Sequence, residues 1–234
     1  MRISSGSPID NLLDGGVQTG LLTHVYGCAG CGKTTFALQL SITACSLGYD
    51  VLYFDTEQMF PASRLRQILD GRDPAFMQRI AVAQPLSFEE QHDQFLTLHN
   101  SGGRSWSMTN LGLIIVDTIA KHYRIEVALS PFTKVFRRFA EEQIPALLKI
   151  ARKFDIAILL LNQVTADPSD PQISKPVGGD AVSRAAKYEL KLEILDTMKH
   201  IGLATITKSP LIRQIGSSAE YAITHLGITQ TASV

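Results

Sequence analysis

Gly27-Cys28-Ala29-Gly30-Cys31-Gly32-Lys33-Thr34 fits the pattern G-x-x-x-x-G-K-[ST]. In that pattern the backbone N–H groups of a glycine-rich turn surround phosphate oxygens, provided a strand leads in and a helix leads out. Both flanks qualify. Leu21-Leu22-Thr23-His24-Val25-Tyr26 reads as a buried strand, and Thr34 to Leu47 reads as an apolar helix that Gly48 is placed to end. The helix N-terminus adds partial positive charge. Lys33 is placed to reach the β- and γ-phosphates, the Thr34 hydroxyl to help hold Mg²⁺, and Thr35 to close the nucleotide-binding stretch. The stretch therefore predicts a nucleoside triphosphate site on a strand–turn–helix unit.

Composition agrees with such a unit. The chain has 234 residues, 45% of them apolar, which suits one α/β domain with a real core. No apolar run approaches membrane-spanning length, and Met1-Arg2-Ile3-Ser4-Ser5-Gly6 lacks a signal-peptide core, so the expected location is cytoplasmic, away from membranes. Lys plus Arg and Asp plus Glu both number 22, which argues against a strongly basic surface and tight, salt-driven nucleic-acid binding. Three cysteines fit a reducing compartment. Cys28 and Cys31 form C-x-x-C within the phosphate turn. With no second Cys/His pair nearby they read as small fillers rather than a zinc site, with redox sensitivity the alternative. Cys45 reads as core.

Strand and helix patterns alternate after the phosphate turn. Val51 to Asp55 is a short strand, Pro61 to Leu69 a helix, and Ile80 to Ala83 a strand. Ser87-Phe88-Glu89-Glu90 is a capping box that opens a helix to about His99. Ser101 to Ser105 reads as a surface loop, with Trp106 alone beyond it. Leu111 to Val116 is an apolar strand, Ser130-Pro131 opens a long helix to Lys153, and Ile156 to Leu161 is another apolar strand. Strands apolar on both faces and joined by helices predict a mostly parallel sheet between helices. From Tyr188 the period becomes two, with Leu190, Leu192 and Ile194 alternating with Glu189, Lys191 and Glu193. Ile201 to Thr207 and Ala219 to Thr224 follow, predicting antiparallel strands at the C-terminal end.

Two acids stand at strand ends, where ligands bind in open α/β sheets. Asp117, after Leu111-Gly112-Leu113-Ile114-Ile115-Val116, is placed to order the metal's water shell. Glu57, just beyond Asp55, is placed as the base that orients water against the γ-phosphate. Spacing alone does not separate it from a solvated loop glutamate.

Thr56-Glu57 with Phe60 and Arg64-Leu65 resembles the segment of RecA/RadA recombinase cores that carries their catalytic glutamate and an arginine packing on adenine. The family's glycine after that glutamate is Gln58 here. Ser5-Gly6-Ser7 with Ile9-Asp10-Leu12-Leu13-Gly15-Gly16-Val17 resembles the lead-in to the phosphate turn, and Val116-Asp117-Thr118 with Tyr123-Arg124 the start of the first DNA-facing loop. Leu161-Asn162-Gln163-Val164 resembles the strand whose glutamine senses γ-phosphate. Lys175-Pro176-Val177-Gly178-Gly179-Asp180 resembles the far end of the second DNA-facing loop. Ser209-Pro210 resembles the segment that caps a neighbouring subunit's nucleotide. The resemblance spans nearly the whole chain. It implies a RecA-like P-loop NTPase fold over residues 1–234, ATP and Mg²⁺ as cofactors, Glu57, Lys33 and Gln163 as catalytic groups, Thr34 and Asp117 at the metal, and Arg64 and Pro210 at the nucleotide.

Strand-exchange members carry an N-terminal helical domain and a polymerisation tether. Only 26 residues precede Gly27, and the core lead-in takes most of them. The chain is thus similar to the short archaeal paralogues of RadA, which implies a core without the helical DNA-binding domain. It also implies weak, slow ATPase activity, a monomer or dimer rather than a long filament, and a role assisting or regulating recombination and DNA repair. Lys208 stands where many members have aspartate. It reads either as a cation reaching a neighbour's γ-phosphate or as a solvated strand end.

The implied DNA contacts are Lys121, His122, Tyr123 and Arg124 in the first loop, and Lys175 in the second, where Asp167 and Asp170 oppose a phosphate backbone. Arg137 and Arg138 read either as further contacts or as a solvated helix face. Two alternatives stand beside this reading. One is an ATP-switched module that chiefly binds a recombinase or a branched-DNA nuclease. The other is a clock-type ATPase or ring helicase of the same superfamily.

Overall fold

The computed structural model describes residues 1–101, 110–167, 170–178 and 180–231. Its strands are β1 (Arg2–Ile3), β2 (Val17–Gln18), β3 (Leu22–Gly27), β4 (Asp50–Asp55), β5 (Ile80–Ala83), β6 (Leu111–Asp117), β7 (Ala157–Asp167), β8 (Asp170–Pro176), β9 (Tyr188–Asp196), β10 (Ile201–Lys208), β11 (Ser218–Thr224) and β12 (Gly227–Thr229). The helices are α1 (Ile9–Leu12), α2 (Lys33–Ser46), α3 (Ala62–Leu69), α4 (Phe88–Ser101), α5 (Lys121–Leu129), α6 (Phe132–Arg137), α7 (Ile144–Phe154) and α8 (Asp180–Ala185).

The main sheet runs β12-β11-β10-β9-β3-β7-β6-β4-β5. From β9 to β5 every neighbouring pair is parallel, and from β9 to β12 every pair is antiparallel. The expected α/β architecture, mostly parallel with antiparallel strands at its C-terminal end, is therefore present. Alternate residues of each central strand feed two cores. Val51, Tyr53, Leu113 and Ile115 pack with Phe36 and Leu40 of α2. Leu52, Phe54, Ile114 and Val116 pack with Phe95 of α4 and Leu147 and Ile150 of α7. Burial on both faces is why these strands read as unbroken apolar runs.

Several expectations change. β9 is parallel to β3 as well as antiparallel to β10, so Glu189 does not face solvent as its alternation suggested. It is only 8% exposed. Its Oε2 accepts from Nδ1 of His24 at 2.9 Å and its Oε1 from the Thr207 hydroxyl at 3.0 Å. β7 runs beyond Leu161, and β8 folds back on it with Val164 opposite Pro176 and Thr165 opposite Lys175. The expected second loop is thus largely a hairpin. The long helix after Pro131 comes as α6 and α7 joined by a wide π turn over Arg138–Gln143. Pro145 lies in the first turn of α7. Its missing N–H and its ring disfavour a regular helix just upstream, and the wider turn accommodates both. Residues 121–129, expected to begin as loop, form α5. Half of the expected capping box is seen: Ser87 Oγ accepts the Glu90 N–H at 3.1 Å, whereas the Glu90 carboxylate accepts the N–H of Leu86, one residue before the cap, at 2.9 Å. Residues 102–105 of the expected surface loop, with Trp106, Pro168 and Gly179, lie outside the described residues.

Candidate nucleotide site

The phosphate turn connects β3 to α2, and its last glycine shows why the sequence folds this way. Gly32 is the residue before α2 with φ of 95°, a left-handed geometry that side-chain-bearing residues rarely adopt. Turning there, the chain starts α2 at Lys33 with its first N–H groups directed at the turn. Lys33 is buried, and Nζ donates to the carbonyl oxygens of Gly27 at 2.8 Å and Cys28 at 2.7 Å. The turn is braced from behind. The Tyr221 hydroxyl on β11 donates to the Cys31 carbonyl at 2.6 Å, with its ring across Gly202, where a Cβ would lie 2.4 Å from Cζ. Gln39 of α2 exchanges two hydrogen bonds with the backbone of Ile228 on β12.

Parallel register brings the other groups to the same sheet edge. Gly27 stands opposite Gln163 on β7, and Asp55 opposite Asp117 on β6. Lys33, Thr34, Glu57, Asp117 and Gln163 line one cleft of about 370 Å³, together with Ala29, Gly30, Tyr53, Asp55, Met59, Pro61 and Thr118. Asp117 Oδ2 accepts from Thr34 Oγ1 at 2.8 Å and from the Tyr53 hydroxyl at 2.7 Å. Burial pushes the Asp117 carboxyl above its ordinary range, against the pull of those two donors and the Lys33 ammonium. Burial and the neighbouring Asp117 charge likewise push the Tyr53 phenol well up, so it remains a donor. A hydroxyl and a carboxylate form an oxygen-only pair, which suits a hard cation such as magnesium.

Glu57 projects from the β4 end, followed by Gln58 at φ 59° where the recombinase pattern has glycine. The underlying backbone is cross-tied. Thr56 N–H donates to Asp117 O at 2.9 Å, Thr56 Oγ1 donates to Thr118 O at 3.0 Å, and Thr118 N–H donates to Thr56 Oγ1 at 2.8 Å. Arg64, on α3, is apart from the cleft lining. Its guanidinium edge donates to the carbonyls of Thr224, at 2.5 Å, and His225, at 3.2 Å, and to Gln67. Those contacts engage the edge of the guanidinium and not its planar face, the surface that packs on an aromatic base. Thr35 is half-buried in the first turn of α2, while Pro210 is exposed on the turn after β10 and lines no part of this cleft.

The residues expected against DNA separate. Arg124 is exposed on α5, and Lys175 is exposed on β8. Tyr123 is 7% exposed, stacked on Phe139 at 4.4 Å, and so is withdrawn from any nucleic-acid surface. His122 is buried too, and its Nε2 donates to Pro85 O at 2.9 Å. Lys121 turns toward the nucleotide cleft: Nζ donates to Thr56 O at 2.6 Å and lies 3.5 Å from Glu57 Oε2. Arg138 forks onto Glu89, with Nη2 to Oε1 at 2.8 Å, and lies over the Phe88 ring. That pair holds the Glu89 carboxyl below its ordinary range. Arg137 pairs with Glu141 on the following turn. Lys208 is not a free, solvated strand end. Nζ donates to Ser183 O at 2.6 Å and Arg184 O at 3.3 Å, carbonyls of the last turn of α8.

Cys28 is exposed and Cys31 buried, and burial pushes the Cys31 thiol above its ordinary value, away from the reactive thiolate. The sequence offered no sign of Tyr53 as a donor to Asp117, because a tyrosine on a buried strand looks like core packing.

The Rad51 family model matches residues 1–231 of this chain. A DNA repair and recombination protein RadB from Methanococcoides burtonii is 33% identical over 226 residues, covering 97% of this chain and 96% of the relative. One of the same name from Thermococcus onnurineus is 34% identical over 224 residues, covering 94% and 93%. A crystal structure of the RadB recombinase superposes with a TM-score of 0.80 at 32% identity, covering 98% of this chain and 100% of that one.

Proposed function

The chain belongs to the Rad51 family, and from that premise we propose that it binds ATP with Mg²⁺, hydrolyses it slowly, and assists or regulates recombination and DNA repair rather than exchanging strands alone. What carries this reading is the convergence of Lys33, Thr34, Glu57, Asp117 and Gln163 on one cleft. The backbone N–H groups from Gly27 to Gly32 and the Lys33 ammonium hold the phosphates. Thr34 and, through water, Asp117 would hold magnesium, whose charge would offset that on the β- and γ-phosphate oxygens. Glu57 accepts a hydrogen bond from the attacking water and aims it, and Gln163 carries the γ-phosphate's presence into β7 and its hairpin. Arg64 offers its face to the base. Pro210 serves a neighbouring copy's site, so a lone subunit is a poor catalyst.

Lys33→Ala should weaken ATP binding at least about tenfold with the fold intact by circular dichroism, and Glu57→Gln should bind ATP yet lose most turnover. Wild-type nucleotide affinity in the first variant or wild-type rates in the second would refute the assignment.

A second reading, an ATP-switched module that mainly captures a recombinase or a branched-DNA nuclease, draws on the losses at the DNA face. Tyr123 is buried and Arg138 is committed to Glu89. Tight, ATP-dependent capture of a purified recombinase with negligible oligonucleotide binding would favour it.

A further inference from the structure

Lys121, expected against DNA, bonds instead into the nucleotide cleft. It opens α5, and its ammonium is anchored on the Thr56 carbonyl within 3.5 Å of the Glu57 carboxylate. The backbone beneath that pair is fixed by the Thr56–Thr118 cross-ties, whereas both side chains are partly exposed, Lys121 at 25% and Glu57 at 38%. Glu57, Lys121, Arg124 and Gln163 also line one crevice. Arg124 follows Lys121 by three residues, a spacing that puts both on one side of α5. One lysine thus stands between an exposed arginine and the carboxylate proposed to aim the attacking water.

We propose that Lys121 is a positioning residue shared between two anions, the Glu57 carboxylate and a phosphodiester backbone held at Arg124. Paired with Lys121, Glu57 is drawn toward α5 and one of its oxygens is engaged. A nucleic-acid phosphate that takes the ammonium releases that oxygen toward the γ-phosphate, so single-stranded DNA at α5 is reported at the hydrolytic centre. The inference rests on the role given to Glu57 above. Because linkage is reciprocal, neutralising Glu57 frees Lys121 and strengthens DNA binding, an effect that needs no turnover to be seen.

The test is a double-mutant cycle read by fluorescence anisotropy with a short labelled oligothymidylate at low salt, without nucleotide. A partly exposed ion pair predicts a shift of about two- to fivefold. Glu57→Gln should bind the oligonucleotide tighter than wild type by that factor, and the gain should vanish in a Lys121→Met background. Lys121→Met alone should raise DNA-free kcat by a similar factor with little change in KM and abolish stimulation by DNA, while Lys121→Arg should restore both. Equal oligonucleotide affinity in wild type and Glu57→Gln would overturn the sharing, and a kcat lowered or unchanged by Lys121→Met would overturn the restraint. Should Glu57→Gln hydrolyse ATP normally while the binding cycle still shows coupling, the catalytic assignment falls and the ion-pair exchange stands.

Discussion

Asp117 sets folding against chemistry within one side chain. Its burial raises its pKa above the ordinary 3.8, so folding disfavours the charge that the proposed magnesium site requires. A raised folded-state value gives a contribution to stability that is complete below the unfolded pKa and is lost as pH rises through the native one. Asp117→Asn keeps an acceptor for Thr34 and Tyr53 while removing the buried charge. It should therefore raise Tm at neutral pH by roughly 2–4 °C, the shift made by ~1 kcal/mol in a chain of this size, while weakening Mg-dependent ATP binding. The advantage should shrink as the pH is lowered into the ordinary carboxylate range, where the native carboxyl takes up its proton. A scan of Tm against pH for the two proteins decides it. That Lys33, Thr34 and Asp117 would meet in one cleft was legible in the sequence, because the glycine-turn pattern and the strand-end acid sit at fixed spacings. Tyr53 was not, since its role depends on a strand neighbour 64 residues away.

Among the elements, the strands were read closely because double-sided burial writes itself into composition. α5 escaped notice because only His122 and Tyr123 of its nine residues are buried, leaving no apolar stripe to count. The partners of Lys208 and Arg138 were equally invisible, since each reaches an element distant in sequence. β9 joins the parallel and antiparallel halves of the sheet, and Glu189 sits at that joint beside its strand partner His24. Burial alone would raise the Glu189 carboxyl. Hydrogen bonding and charge from His24, with hydrogen bonds from Ser183 and Thr207, outweigh it and hold the group below its ordinary 4.5. A lowered value means stability that is present above the unfolded pKa and lost as pH falls through the native one. Glu189→Gln should accordingly cost about 1–2 kcal/mol at neutral pH, and the penalty should disappear in acid, where the carboxyl and the amide are both uncharged. Denaturant melts at the two pH values measure this. A penalty that persists in acid would mean that shape, not charge, is what the joint requires.

For the molecule as a whole, charge balance and site geometry point the same way. The sequence carries equal numbers of acidic and basic side chains; of the cations considered for DNA, Arg124, Arg137 and Lys175 stand exposed, Arg137 beside Glu141, and Lys121 is shared with Glu57. Phosphate contacts from Arg124, Lys175 and Lys121 give a single-strand salt slope of about −2 in log K against log salt, far shallower than that of a heavily basic binder. Anisotropy titrations from low to physiological salt should give that slope, and Arg124→Ala should flatten it by about 0.7. A flat line would transfer the case to protein capture. Of the full arrangement, the sheet and the phosphate turn could be foreseen. The contribution of the last strands could not, because it is made of side chains that look like ordinary packing.

Those strands determine how the protein can fail. With Tyr221 propping the Cys31 carbonyl and Gln39 stitched to Ile228, the phosphate turn leans on a wall built from the final stretch of sequence. A chain clipped before Ser218, or bulked at Gly202, keeps every letter of the triphosphate motif and loses the scaffolding that shapes it.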